Sequence, residues 1–172
     1  LVSSEERGIT GETEVRHRRL SEVERITLRE STSMDVTKCI YPRQGWPSRS
    51  RGLERAFIEW CQSDAGVEAF CKLSENKHDF ARLRYVREDG LPAFYFPDFM
   101  VRTADAVYLV ETKAQQQTNH PNVQRKRKAA ATWCSRINEL PPYDRGGREW
   151  HYALVGESVF DDWRNKHARI AE

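Results

Sequence analysis

The sequence predicts an α/β domain with a strand-rich centre, in the order helix, three strands, helix, strand, helix. Three observations carry this. Leu53, Ala56, Phe57, Trp60 and Cys61 fall at i, i+3, i+4, i+7 and i+8, one stripe of a helix. Three stretches rich in aromatic and β-branched residues follow, Phe80 to Val86, Ala93 to Val101 and Ala106 to Lys113. A second helical pattern, about Asn122 to Leu140, carries Val123, Ala130, Cys134 and Ile137 on one face and ends at Pro141-Pro142.

The first fifty residues differ from this pattern. Acidic and basic residues alternate from Glu5 to Glu24, and no Phe, Trp or Tyr precedes Tyr41. Two weak stretches, Val23 to Leu28 and Val36 to Tyr41, predict a hairpin around Ser31-Thr32-Ser33. Pro42 to Gly52, with Arg43, Arg49 and Arg51, reads as a basic loop entering the first helix. Residues 1–50 are therefore expected to form a strand-containing extension or joint to an upstream region, and 51–172 the main domain.

Within the main domain, Glu88-Asp89-Gly90 and Thr103-Ala104-Asp105 separate the three strands, which suggests an antiparallel meander. Gly146-Gly147 resets the chain before a further strand, Trp150 to Val155, closed by Gly156. Ser158 and Asp161 form an S-x-x-D capping signal for a last helix bearing Phe160, Trp163 and Ile170.

Composition narrows the function. Apolar residues make up 38% of the 172 residues and charged residues 31%, with no run near the roughly 18 apolar residues of a membrane span. A net charge of +2 excludes a highly basic coating protein, so a nucleic-acid surface must arise by local clustering. Cys39, Cys61, Cys71 and Cys134 show no C-x-x-C pair and sit beside apolar residues. They read as small buried hydrophobes in a reducing cytoplasm, not as zinc ligands. The chain opens Leu1-Val2-Ser3-Ser4 without a secretory pattern, as expected of a domain from a longer cytoplasmic protein.

Three charged groups interrupt the apolar strands: Asp98, Glu111 and Lys113. Glu111 and Lys113 are two apart, so they project from one face, with Val107 and Leu109 before them. A short hairpin would set Asp98 beside them. Carboxylates offer hard oxygen ligands to a divalent cation, and a lysine orients water or offsets phosphate charge, the requirements of phosphodiester hydrolysis. The bland reading is a solvated strand end with a same-face ion pair. Pro-Asp followed by E-x-K within about 20 residues, however, has roughly 0.03 chance occurrences per chain of this composition, and the turn-separated strands lower it further.

Pro97-Asp98 and Glu111-Thr112-Lys113 resemble the signature of the PD-(D/E)XK nuclease superfamily, the restriction-endonuclease-like fold, over about residues 50 to 170. The resemblance implies a central mixed sheet flanked by helices. It implies Asp98, Glu111 and the Thr112 backbone carbonyl as ligands of Mg²⁺ or Mn²⁺, and Lys113 as the catalytic lysine. The wording from Tyr41-Pro-Arg through Leu53-Glu-Arg-Ala-Phe-Ile-Glu-Trp to Tyr-Leu-Val-Glu-Thr-Lys is most similar to the C-terminal endonuclease region of type III restriction-enzyme-like helicase-nucleases. A helicase or translocase region of the same polypeptide is then the expected partner, with DNA as substrate and no membrane.

Many members of that superfamily add an acidic residue from the first helix. On the wheel Glu54 lies at the margin of the apolar stripe and Glu59 points away, so Glu54 is the metal-site candidate. Arg125, Lys126, Arg127 and Lys128 open the second helix; Lys126 falls on the sheet-facing side, and the other three suit the DNA backbone together with Arg49 and Arg51. Among Gln115, Gln116 and Gln117, Gln117 is an accessory candidate. His78 and His120 lack a nucleophile or orienting carboxylate at useful spacing and read as structural or surface residues.

The function expected is thus a metal-dependent DNA endonuclease domain of a helicase-nuclease defence enzyme. One such site cuts one strand at a time, so duplex breakage would require a homodimer or sequential nicking. The alternative is a catalytically silent DNA-binding or partner-docking module of the same fold. An enzyme acting on RNA or small phosphoesters would use the same ligands.

Overall fold

The computed structural model describes residues 2–6, 13–48, 52–166 and 168–170. Its centre is a four-stranded mixed sheet in the order β10-β9-β8-β5, formed by β5 (Ala69–Lys72), β8 (Phe99–Arg102), β9 (Ala106–Lys113) and β10 (Glu149–Gly156). β5, β8 and β9 pair antiparallel and β10 runs parallel to β9. Around it lie α1 (Leu53–Ser63), α2 (Pro121–Asn138) and α3 (Glu157–Lys166). Among the described residues there are also three two-stranded ribbons: β1 (Val2–Glu6) with β2 (Thr13–His17), β3 (Ser33–Asp35) with β4 (Arg43–Gly45), and β6 (Leu83–Val86) with β7 (Pro92–Tyr95). No helix among the described residues is long and apolar enough to cross a membrane.

α1 buries Phe57 and Cys61 of the predicted stripe, with Ile58 beside it, against Phe99, Val101 and Val110, joined by Phe160 of α3; Leu53, Ala56 and Trp60 of the stripe are partly buried. Phe57 is fully buried, with ring centroids of Phe99 at 4.8 Å and Phe160 at 5.6 Å. On the other face, Ala130, Cys134 and Ile137 of α2 pack with Val107, Leu109 and Trp150, and the β6–β7 ribbon adds Leu83 and Tyr95. β9, paired on both edges and covered on both faces, therefore lies at the centre of the molecule.

Several expectations are corrected. The stretch Ala93 to Val101 is not one strand: it breaks at Phe96-Pro97-Asp98, because proline lacks the N–H that a continuous ladder needs. Its first half pairs with β6 outside the main sheet and its second half enters it, so the three stretches do not make one meander. The four residues of β5, too few to show a period, take the edge beside β8. Val23 to Leu28 forms no strand; the antiparallel pairs before residue 50 are β1 with β2 and β3 with β4. Ile40 is exposed and the alternation through Lys38 is not that of a strand, because Lys38 turns its ammonium onto the end of α1, donating to the carbonyl of Asp64 at 2.5 Å. α3 starts at Glu157 directly after β10, and the Ser158 hydroxyl bonds Gln115 Oε1 at 2.6 Å instead of capping a helix.

Residues before 50 pack into this body. Gln44 is buried and its Oε1 accepts from the Lys72 backbone N–H at 2.6 Å. Tyr41 meets His78 at 3.1 Å. The Ser74 N–H donates to His78 Nδ1, which leaves Nε2 as the protonated nitrogen donating to Tyr41, whose hydroxyl then serves the carbonyls of Leu20 and Val23. Burial holds the His78 pKa below its ordinary 6.5. The unfolded chain therefore takes the proton more readily, so this stability is present above about pH 6.5 and is lost as pH falls through the lowered folded value. Urea unfolding across this window should show the loss, and His78→Gln should flatten it.

Candidate active site

The carboxyl end of β9 collects the charged groups. Alternation places Val107, Leu109, Glu111 and Lys113 on the face covered by α2, the first two inside that core. Glu111 is 2% exposed. Lys113 Nζ lies 2.8 Å from its Oε1, while Oε2 is buried without a hydrogen-bond donor among the described residues. Burial, then the charge of Asp98, pushes the Glu111 pKa up, against the pull of Lys113 and Lys126. Burial works against charge on Lys113, yet the carboxylates of Glu111, Asp98 and Glu54 outweigh it and raise its pKa.

Asp98 reaches the same place through the break in the strand. The β8–β9 ladder ends at Phe99 opposite Val110, and its register continued would set Pro97 opposite Thr112. Asp98 supplies the missing partner: its Oδ2 accepts from the Thr112 N–H at 2.7 Å and from the Thr112 hydroxyl at 2.8 Å. Asp98 Oδ1 is left toward Lys72, whose Nζ is 3.9 Å away.

Glu54, in the first turn of α1, does not join Asp98 and Glu111. Its Oε2 forms an ion pair with Lys72 Nζ at 2.5 Å. Lys72 also sits 4.9 Å from the centroid of the Phe99 ring. Among the described residues no three Asp, Glu, His or Cys side chains gather around one point. The residues still fit a divalent cation of hard-oxygen preference. Glu111 Oε2, without a hydrogen-bond donor among the described residues, and Asp98 Oδ1, 3.9 Å from the Lys72 ammonium, offer two carboxylate oxygens, which the Thr112 carbonyl, water and substrate would supplement.

The basic run divides around α2. The Lys126 ammonium lies 5.2 Å from the Tyr95 ring and 5.8 Å from Tyr85, and its charge is felt at Glu111. The Tyr95 hydroxyl donates to the Lys126 carbonyl at 3.1 Å. Arg127 influences Tyr152, while Arg125 and Lys128 line a groove beside β6–β7. Gln117 is exposed and shares a surface pocket with Lys126. Arg49 and Arg51 lie outside the described residues. Glu59 points outward onto Arg55, and His120 Nδ1 caps α2 through the Asn122 N–H.

Sequence reasoning missed Lys72, Gln44 and Tyr152. Lys72 carried the same signal as Glu111, a charge closing the apolar run Ala-Phe-Cys. The buried Tyr152 hydroxyl has no hydrogen-bond partner among the described residues; burial, then Glu111 and Asp98, push its pKa well up. Nothing in its strand pattern marks it. Comparison with family models, curated proteins and solved structures finds no match to this chain.

Proposed function

We propose that this chain is a metal-dependent DNA endonuclease domain with a restriction-endonuclease-like core, hydrolysing phosphodiester bonds with Mg²⁺ or Mn²⁺ as the nuclease part of a helicase-nuclease. The observation that carries the reading is the convergence of Asp98, Glu111 and Lys113 at one end of β9, where Glu111 Oε2 has no hydrogen-bond donor among the described residues. A bound cation would polarise the phosphate and acidify the attacking water.

The protein's own groups divide the remaining work. Asp98 and Glu111 would hold the cation through their carboxylates. Lys113, with its pKa raised, is an ammonium at neutral pH; it donates hydrogen bonds to water or to a phosphate oxygen and does not abstract a proton. Glu111 must be ionised to serve as a ligand, so activity falls as pH drops through its raised pKa.

The test is plasmid nicking or linearisation by the purified chain with Mg²⁺, Mn²⁺ or EDTA. Cleavage dependent on metal is expected, and cleavage unchanged in EDTA rejects the mechanism. One observation favours a silent DNA-binding module: Lys72 brings a positive charge between Glu54 and Asp98, where a cation would otherwise offset them. On that reading calorimetry detects no Mn²⁺ binding.

A further inference from the structure

An open groove of about 950 Å³ runs along the seam where helix α2 packs on the β6–β7 ribbon. One wall is a helical stripe, Arg125, Lys128, Ala129, Thr132 and Arg136, at i, i+3, i+4, i+7 and i+11. That stripe is about 16 Å long at the helical rise. The facing wall carries Arg82, Arg84 and Phe94. Among the described residues Arg82, Arg84, Arg125 and Lys128 line the groove with one carboxylate, Asp79, in a chain whose overall charge is only +2, while Arg18 at its edge is paired with Glu22. A concentration of this kind makes a strongly positive local potential that attracts a polyanion.

Charge alone would suit any polyanion, but the aromatic residues are selective. Phe94 is 57% exposed, with the Arg82 guanidinium 4.9 Å from its ring centroid. Phe80, half-buried, lies under Arg18 at 5.2 Å. Planar apolar faces set among cations match a strand that offers phosphates and unstacked bases together. A duplex keeps its base faces inside, and an acidic peptide offers no planes to stack.

We propose that this groove binds a single-stranded polynucleotide, its backbone along the α2 stripe and its bases stacked on Phe94 and Phe80. The inference deepens the nuclease reading by naming the strandedness of the substrate, and it rests on that reading only for its link to cleavage. That link is spatial: Tyr85 lines both this groove and the pocket that holds Lys126, whose charge reaches Glu111.

The experiment is fluorescence anisotropy with the full chain in EDTA, so that binding is read without cleavage, using labelled oligothymidylate, oligouridylate and a DNA duplex of equal length. At least one single strand is expected to bind about tenfold or more tighter than the duplex, and the tighter of the two identifies DNA or RNA. Phe94→Ala should weaken that binding about tenfold. With about four phosphate contacts, doubling the salt should weaken it about sevenfold, and Arg125→Gln with Lys128→Gln should flatten that dependence. Equal or tighter duplex binding, wild-type affinity in Phe94→Ala, or equal competition by polyglutamate would overturn the proposal. Strand binding without metal-dependent cleavage would sink the nuclease reading alone, and cleavage without strand binding would sink this one alone.

Discussion

Asp98→Asn is expected to lower metal-dependent DNA cleavage about a thousandfold or more, a loss of several kcal/mol of transition-state stabilisation, while the chain stays folded. The two oxygens of Asp98 do different work. Oδ2 replaces the ladder partner that Pro97 cannot be, holding the Thr112 N–H and hydroxyl, and Oδ1, on the side of Lys72, is the oxygen left for the proposed cation. Asparagine keeps one acceptor for Thr112 and removes the charge. Asp98→Ala removes both and strands a largely buried N–H, which adds a stability cost of about 1–3 kcal/mol and confuses the result. Plasmid cleavage beside thermal unfolding separates the two effects. If Asp98→Asn cleaves within tenfold of the wild type, the aspartate serves only as a backbone cap and the nuclease proposal fails.

The second large effect concerns stability. Lys113→Met should cost about 3 kcal/mol at neutral pH, because it leaves the nearly buried Glu111 carboxylate without its cation. The direction with pH is distinctive. Glu111 already holds its proton above the ordinary 4.5, and loss of Lys113 raises it further. The folded chain then binds that proton more readily than the unfolded one. Stability therefore falls as pH rises from about 4.5 through the folded value, and stays low above it. Urea unfolding near pH 5 and near pH 7.5 should show a smaller penalty in acid, and Glu111→Gln combined with Lys113→Met should recover most of it. A penalty equal at both pH values would contradict the buried pairing.

The parts legible in the sequence were those with a long period or a misplaced charge. α1 and α2 run for several turns and buried the faces their stripes indicated, and β9 announced itself by eight residues that end in Glu-Thr-Lys. Glu111 and Lys113 were readable because burying two charges in an apolar strand is costly without a reason. Strand partners were less accessible. β5 and β8 have four residues each, and whether a strand joins the main sheet or a side ribbon depends on contacts distant in sequence. The pairing of Glu54 with Lys72 was illegible for the same reason: the wheel places Glu54 at the margin of α1 but carries no information about which side chain of β5 will meet it.

The parallel pairing of β9 with β10 sets an order of events. Ala106 pairs with Glu149 and Lys113 with Gly156, so each rung joins residues 43 apart, with all of α2 between them. Closing so long a loop is slow compared with forming the local β8–β9 hairpin. A chain emerging from the ribosome thus exposes Asp98, Glu111 and Lys113 well before β10 arrives, with one edge of β9 unpaired and open to other strands. Until Tyr152 comes in with β10, the surroundings that bury Glu111 are incomplete. The low-dielectric setting that tunes these groups is therefore completed only with the last strand of the sheet.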